Sequence, residues 1–249
     1  MRKFGLIGRT LKHSFSASYF TEKFEREGVS DCSYSLFELA TIEEITTLLE
    51  EERELCGFNI TIPYKQQIMP YLDTIDIEAK RIGAVNCVKI EDGKLHGYNT
   101  DIAGLRLSMK RLLNGAFVNR ALVLGTGGAS SAVQYMLSEM GIEFEIVSRD
   151  PLKATITYDT ISPEEITRSE LIINTTPLGT YPDVESAPSL PYAFVSPSHY
   201  LFDLVYNPPL TQFLSYGEQR GAHTLNGQTM LVEQAEESWR IWQGCPLSE

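Results

Sequence analysis

Apolar and polar positions follow two successive patterns along the chain. In the first hundred residues, short apolar or alternating runs are separated by amphipathic ones. "KFGLIG" (3–8) predicts a buried strand. "SASYFTEKFEREG" (16–28) predicts an amphipathic helix closed by Gly28, and the alternating "CSYSLFEL" (32–39) a second strand. Thr41 and Glu44 form a capping-box pattern ahead of a helix running to about Glu54. "GFNITIPYK" (57–65) begins as a third strand. "KQQIMPYL" (65–72) and "IDIEAKRIG" (75–83) predict short helices, with Pro70 interrupting. "AVNCVKI" and "LHGYN" flank Asp92-Gly93 and predict a β-hairpin.

After a helix from Asp101 to about Leu113, the pattern changes. "RALVLGTGGASSAVQYMLSEMG" followed by "IEFEIVSRD" reads strand, glycine turn, helix, strand. "LIINTTPLG" and "YLFDLVYN" are two further buried strands, and "GQTMLVEQAEESWRIWQ" is a long amphipathic helix. Strands that alternate with helices imply a parallel sheet with helical crossovers. The expectation is two α/β domains joined near residues 101–113. Periodicity alone does not decide where the last helix docks.

Composition narrows the partners. The 249 residues are 43% hydrophobic and carry a net charge of −12. That charge argues against nucleic acid, which needs a basic surface, and against an anionic membrane. The N-terminal run lacks a signal-peptide core, and no apolar stretch approaches the roughly 20 residues of a membrane span. Cys32, Cys56, Cys87 and Cys245 are scattered, with no metal-ligand spacing. Idle thiols in a reducing compartment fit better than zinc or disulfides. A cytoplasmic protein without a metal is expected.

"VLGTGGAS" places Gly125, Gly127 and Gly128 between an apolar strand and a helix. There a loop can lay its backbone N–H groups and a helix N-terminus on a pyrophosphate. Ser130 takes the place of the usual third glycine, and the bland alternative is a turn that only packs helix on strand. The next strand ends in "VSRD". Ser148 and Arg149, with Lys153 close by, favour a ribose 2′-phosphate and hence NADP over NAD. Asp150 works against that preference, and Arg149 is otherwise an ordinary solvated charge.

"GFNITIPYK" sets an amide, Asn59, and two hydroxyl or amine groups, Thr61 and Lys65, at a strand end. Other polar groups gather at loops outside the glycine-turn region: Ser14 and Ser16 in "HSFS", Asn86 in "GAVN", Asn99 and Asp101 in "GYNTD". Together they suit a small ligand rich in hydroxyls, since each buried polar group needs a partner. Lys65 with Asp101 is a proton-handling pair for an oxygen that gains or loses hydride at its carbon. The alternatives are a solvated ion pair for these two, and helix or turn caps for Ser14, Ser16 and Asn86.

These segments, taken in order, resemble the shikimate/quinate dehydrogenase family along nearly the whole chain. The likeness runs through "HSFSAS", "GFNITIPYK", "GAVN", "GYNTD", "GTGGAS", "NTTPLG", "DLVYNPPLT" and "NGQTMLVEQA". It implies an N-terminal α/β substrate domain over 1–101. A Rossmann-like doubly wound NADP-binding domain would span 102–227, and a C-terminal helix, about 228–249, would return to the first domain. It implies NADP-dependent reduction of 3-dehydroshikimate to shikimate in aromatic amino acid biosynthesis, by a monomer or homodimer. Lys65 and Asp101 would be catalytic. Ser14, Ser16, Thr61, Asn86, Tyr206 and Gln234 would bind substrate. Gly125, Gly127, Gly128 and Ala129 would hold the pyrophosphate, and Ser148, Arg149 and Lys153 the 2′-phosphate. Thr175, Pro177 and Leu178 would border the cofactor, with Gly227 and Met230 at the nicotinamide. Two departures stand out: Ser148 where Asn is frequent, and a short span from Arg149 to "SELIINTT". A quinate/shikimate dehydrogenase using NAD or NADP, a folate-type dehydrogenase and a non-catalytic nucleotide-binding regulator are the alternatives. Lys65 and Asp101 speak against the regulator, and the two-serine segment with Gln234 against the folate type.

Overall fold

The computed structural model describes residues 1–11, 14–154 and 156–245. The chain divides into two units, Met1–Thr100 with Ala235–Glu249, and Asp101–Gln234. His13 of the "HSFS" segment and residues 246–249 of the expected last helix lie outside the described residues.

The first unit is one mixed sheet. Its strands are β1 (Arg2–Gly8), β2 (Cys32–Glu38), β3 (Leu55–Ile60), β4 (Thr74–Ile75), β5 (Cys87–Glu91) and β6 (Lys94–Tyr98), in the order β2-β1-β3-β5-β6-β4. β1 runs parallel to β2 and β3, whereas β5 is antiparallel to β3 and β6. The β5–β6 turn holds Asp92 at φ 51 and Gly93 at φ 73, the paired left-handed conformations that a tight hairpin turn requires.

Strand alternation gives this sheet two apolar faces. Ile7, Phe58, Ile60, Tyr64 and Ile68 pack with Ile45 and Leu48 of α2 (Ile45–Glu51) and Ala79 of α3 (Ile77–Ile82). Phe4 and Cys87 pack with Phe20 and Phe24 of α1 (Phe15–Glu27) and with Ala235, Ile241 and Trp242 at the end of the chain. That end belongs to the last helix, Gln228–Trp242, whose residues from Ala235 onward return to the first unit.

The second unit is a six-stranded parallel sheet. α4 (Asp101–Leu113) leads into β7 (Arg120–Leu124), α5 (Gly128–Glu139) and β8 (Glu143–Ser148). β9 (Ile156–Thr157), α6 (Pro163–Thr167), β10 (Leu171–Asn174) and β11 (Tyr200–Asp203) follow. α7 (Gln212–Glu218), β12 (His223–Leu225) and α8 (Gln228–Trp242) complete the chain. The order β12-β11-β10-β7-β8-β9 is that of a doubly wound dinucleotide fold, with its switch point between β7 and β10. The α/β reading therefore holds.

Several boundaries differ from expectation. Residues 65–72 form no α-helix: turns through 68 lead into a 3₁₀ turn, Met69–Tyr71. The Lys65 carbonyl is drawn out of any helical ladder by the Val85 N–H at 2.8 Å. The helix expected from Thr41 to Glu54 is a 3₁₀ turn, Ile42–Glu44, followed by α2, and it stops at Glu51. Its capping box is incomplete: the Glu44 carboxylate accepts from the Ala40 N–H at 3.1 Å, and Thr41 gives no side-chain cap. Residues 75–83 begin with β4, and Asp76 then caps α3 through Glu78 and Ala79. The short elements β9, β12, α6 and α7 leave too little periodicity to be predicted. Among the described residues after β8 there is no crossover helix, and a turn at 151–153 follows the strand.

Candidate functional site

In the first unit, backbone bonds gather Thr61, Lys65 and Asn86. The Thr61 N–H reaches Ile7 O at 2.9 Å, so β3 stays aligned with β1 beyond its last ladder residue. The Ile60 N–H reaches Asn86 O at 2.8 Å, and Val85 pins the Lys65 carbonyl. Tyr64, between Thr61 and Lys65, is fully buried and donates its hydroxyl to Leu39 O at 2.6 Å. One buried aromatic thus anchors the turn that displays the lysine.

Ser14 occupies the N-cap position of α1 without a side-chain cap bond, so capping is not what its hydroxyl does. Ser16 hydrogen-bonds Tyr34, whose phenol burial keeps firmly protonated. Tyr34 in turn donates to Asn59 Oδ1 at 2.9 Å. Asn86 Oδ1 accepts twice, from the Thr100 N–H at 2.7 Å and the Thr100 hydroxyl at 3.2 Å. Asn99 donates to Ala84 O at 2.9 Å, while its Oδ1 is buried without a protein partner among the described residues. An acceptor left in that state costs about 1–3 kcal/mol unless a ligand or water meets it.

In the second unit, the parallel register carries the cofactor candidates to one carboxyl edge. Leu124 pairs with Val147 and Asn174, and Asn174 with Asp203. Gly125, Ser148, Thr175, Tyr206 and Gly227 therefore stand at or just past the ends of successive strands. Gly125 has φ +109, and a Cβ there would lie 2.8 Å from Thr175 Oγ1, so both conformation and space require glycine. Gly127 is the N-cap of α5 and opens onto empty space where a Cβ would project. Ser130 resolves the missing third glycine: it is fully buried, and its hydroxyl satisfies Gly125 O at 2.8 Å. Gly128 and Ala129 open α5 directly after Gly127.

Ser148 is buried and receives the Asp150 N–H at 3.1 Å, while Arg149 is exposed. The Arg149 charge acts on Tyr158, whose phenol burial pushes upward. The Tyr158 hydroxyl is itself buried with no partner among the described residues. Asp150, the residue at odds with a phosphate, is engaged: its Oδ1 accepts from the Leu152 N–H at 3.0 Å, and Lys153 lies 3.9 Å from its other oxygen.

Thr175 donates to Leu124 O at 2.6 Å, fixing the loop that carries Pro177 and Leu178. Gly227 lies so close to β11 that a Cβ would meet Leu204 O at 2.1 Å, and its N–H bonds Val205 O, beside Tyr206. Met230 is buried with its carbonyl against Gly104 of α4. Asp101 is buried as the first residue of α4, and Gln234 is half-buried on α8 with its amide on Leu231 O. Among the described residues no group of acidic, His or Cys side chains could hold a metal ion. No described helix is long and apolar enough to cross a membrane.

Residues 6–88 match the family model described as the shikimate dehydrogenase substrate binding domain. A shikimate dehydrogenase (NADP(+)) of Clostridium beijerinckii is 40% identical over 262 residues, covering 99% of this chain and 94% of that protein. The chain belongs to the shikimate dehydrogenase family. Among solved structures, the Thermus thermophilus shikimate 5-dehydrogenase in complex with NADP(H) and shikimate has a TM-score of 0.86 at 31% identity. It covers 100% of this chain and 95% of that one. Quinate dehydrogenase from Corynebacterium glutamicum in complex with NAD has a TM-score of 0.88 at 26% identity, over 99% and 95%.

The family resemblance did not point to a buried carboxylate network beneath the carboxyl edge of the second sheet. Asp203 is fully buried and accepts from Asn174 Nδ2 at 2.9 Å, the Val205 N–H at 3.0 Å and Thr211 Oγ1 at 2.6 Å. Asn174 Oδ1 accepts from Thr176. One carboxylate therefore ties the loops after β10 and β11 to the N-cap of α7. The signal available in the sequence was an aspartate ending an apolar strand.

Proposed function

We propose that the chain interconverts 3-dehydroshikimate and shikimate with NADP, as a cytoplasmic enzyme. The observation that carries this reading is the near full-length likeness to shikimate dehydrogenases (NADP(+)) in a chain that keeps Lys65, Asp101 and the glycine turn. The described cysteines are free thiols, in keeping with a reducing compartment.

The open face of Gly127 and the orphaned Tyr158 hydroxyl fit a dinucleotide. Gly125, Gly127, Gly128 and Ala129 would hold its pyrophosphate on the α5 N-terminus. Ser148, Arg149 and Lys153 would meet the 2′-phosphate, with Arg149 giving charge-assisted bonds. Thr175, Pro177 and Leu178 would flank the cofactor, and Gly227 and Met230 the nicotinamide. When bound, the nicotinamide supplies or accepts the hydride.

Ser14, Ser16, Thr61, Asn86, Tyr206 and Gln234 would hold the substrate's hydroxyls and carboxylate. Lys65 gives a proton to the ring oxygen during reduction and takes it back during oxidation, with Asp101 orienting the ammonium. The orphaned Asn99 acceptor is consistent with a ligand rich in hydroxyl donors. The test is NADP+ reduction with shikimate and with quinate, repeated with NAD+. Turnover confined to shikimate and NADP+ supports the reading. Preference for quinate or NAD+ would replace it with the second reading, motivated by the likeness to the quinate enzyme and by Asp150.

A further inference from the structure

A chain of buried polar side chains crosses the first unit from Tyr34 to Asn86, and its middle member sits on the C-terminal helix. Asn59, Asn86, Thr100 and Ser238 are 4%, 2%, 1% and 0% exposed. Tyr34 donates to Asn59 Oδ1, and Asn59 Nδ2 donates to Ser238 Oγ at 2.8 Å. Ser238 Oγ lies 3.1 Å from Thr100 Oγ1, and Thr100 Oγ1 lies 3.2 Å from Asn86 Oδ1.

Donor and acceptor chemistry orders this chain. Asn86 Oδ1 only accepts, so the Thr100 hydroxyl proton points to it. Thr100 must then accept from Ser238, while Ser238 accepts from Asn59. Within this chain each hydroxyl takes one bond and passes one on. With its carbonyl oxygen engaged twice by Thr100, Asn86 turns its Nδ2–H donors away from Thr100. Cys87 also lies against Ser238 and is held as the thiol, its pKa pushed up to about 12 by burial, so it does not compete as an acceptor anion. The helix that supplies Ser238 is itself fastened to the sheet and to α1. Trp242 Nε1 donates to Val88 O at 3.0 Å, and Glu236 receives both Tyr19 and Lys23.

We propose that Ser238 is a positioning residue for substrate recognition. Through the Thr100 hydroxyl it reinforces the orientation that the Thr100 N–H gives the Asn86 amide, and through Asn59 it holds the Tyr34 end of the chain beside Ser16. This inference rests on the shikimate reading and on Asn86 as a substrate contact. A serine at this point of the helix couples substrate affinity to the C-terminal segment without touching substrate.

The test uses the full-length enzyme and three variants, Ser238→Ala, Thr100→Val and Asn86→Ala. Thr100→Val keeps the side-chain shape, should Ser238→Ala fold poorly. Losing one buried hydrogen bond of the chain is expected to raise the KM and calorimetric Kd for shikimate roughly 5- to 10-fold. The KM for NADP+ should stay unchanged and kcat within about twofold of the parent. The Ser238→Ala/Thr100→Val double variant should be no worse than the weaker single, because both cut one chain. Unchanged shikimate affinity in both single variants, with Asn86→Ala still weakening it, overturns the role of Ser238 alone. Unchanged affinity in Asn86→Ala overturns the substrate contact, and the proposal falls with it. Equal losses for shikimate and NADP+ would mark Ser238 as merely structural and overturn it too.

Discussion

Asp203→Asn replaces the buried carboxylate at the end of β11 by a neutral group of the same shape. Burial pushes the Asp203 carboxyl up to about 6 from an ordinary 3.8, against the opposing pull of Thr211, the Val205 N–H and Asn174. Because the folded-state value is the higher one, the folded protein holds this proton more tightly than the unfolded chain. The resulting stabilisation is complete below the unfolded value and is lost as pH rises through about 6. A shift of this size is worth about 3 kcal/mol in full, of which about 2 kcal/mol appears between about pH 7.5 and pH 4.5. The variant lacks that increment, so parent minus variant should grow by about 2 kcal/mol on acidification. Other carboxylates cancel in the difference. Glu27 and Asp31, which their basic partners Lys23 and Arg2 hold below the usual range, titrate alike in both proteins. The assay is urea unfolding at each pH, followed by circular dichroism. Tryptophan fluorescence would miss it, since both tryptophans, Trp239 and Trp242, belong to the first unit. A difference that stays flat across this range would refute the reasoning and show that the three donors outweigh burial.

Lys65→Ala should abolish turnover while calorimetry shows shikimate and NADP+ bound within a few-fold of the parent; full activity would remove its catalytic role. Arg149→Ala should raise the KM for NADP+ roughly 10-fold or more and leave that for NAD+ unchanged, because only the former loses a charge-assisted bond. Gly125→Ala, with its Cβ forced 2.8 Å from Thr175 Oγ1 at φ +109, should abolish cofactor binding in a fluorescence titration. Gly57→Ala would put a Cβ 2.4 Å from Trp242 Nε1, so the tryptophan-detected unfolding free energy should drop by about 1–3 kcal/mol or more.

Elements whose logic is local were legible in the sequence. The strand, glycine turn and helix from Arg120 to Glu139 announce themselves through periodicity and three glycines. The hairpin at Asp92-Gly93 does so through turn chemistry. The turn at 62–68 was not legible, because a residue twenty positions on, Val85, takes the Lys65 carbonyl. Lys65, Thr61 and Asn86 could be named from motif order, but not the bonds that gather them. Ser238 left one trace: it falls on the buried stripe of α8 with Ala235, Ile241 and Trp242, where an apolar residue is the default. Asn59 and Thr100 left less, since their partners Tyr34, Asn86 and Ser238 lie 14 to 179 positions away in the chain.

The return of α8 to the first sheet has a consequence for synthesis. Phe4, Phe20 and Cys87 are synthesised well before Ala235, Ile241 and Trp242, which cover them. About 130 residues of the second unit intervene, so at roughly 5–20 residues/s the face waits about 7–26 s for its lid. During that interval the second unit can complete its own parallel sheet, whereas the first cannot close. The first unit, though its strands precede the second in the chain, therefore finishes folding after it, with its nascent aromatic face uncovered in the meantime.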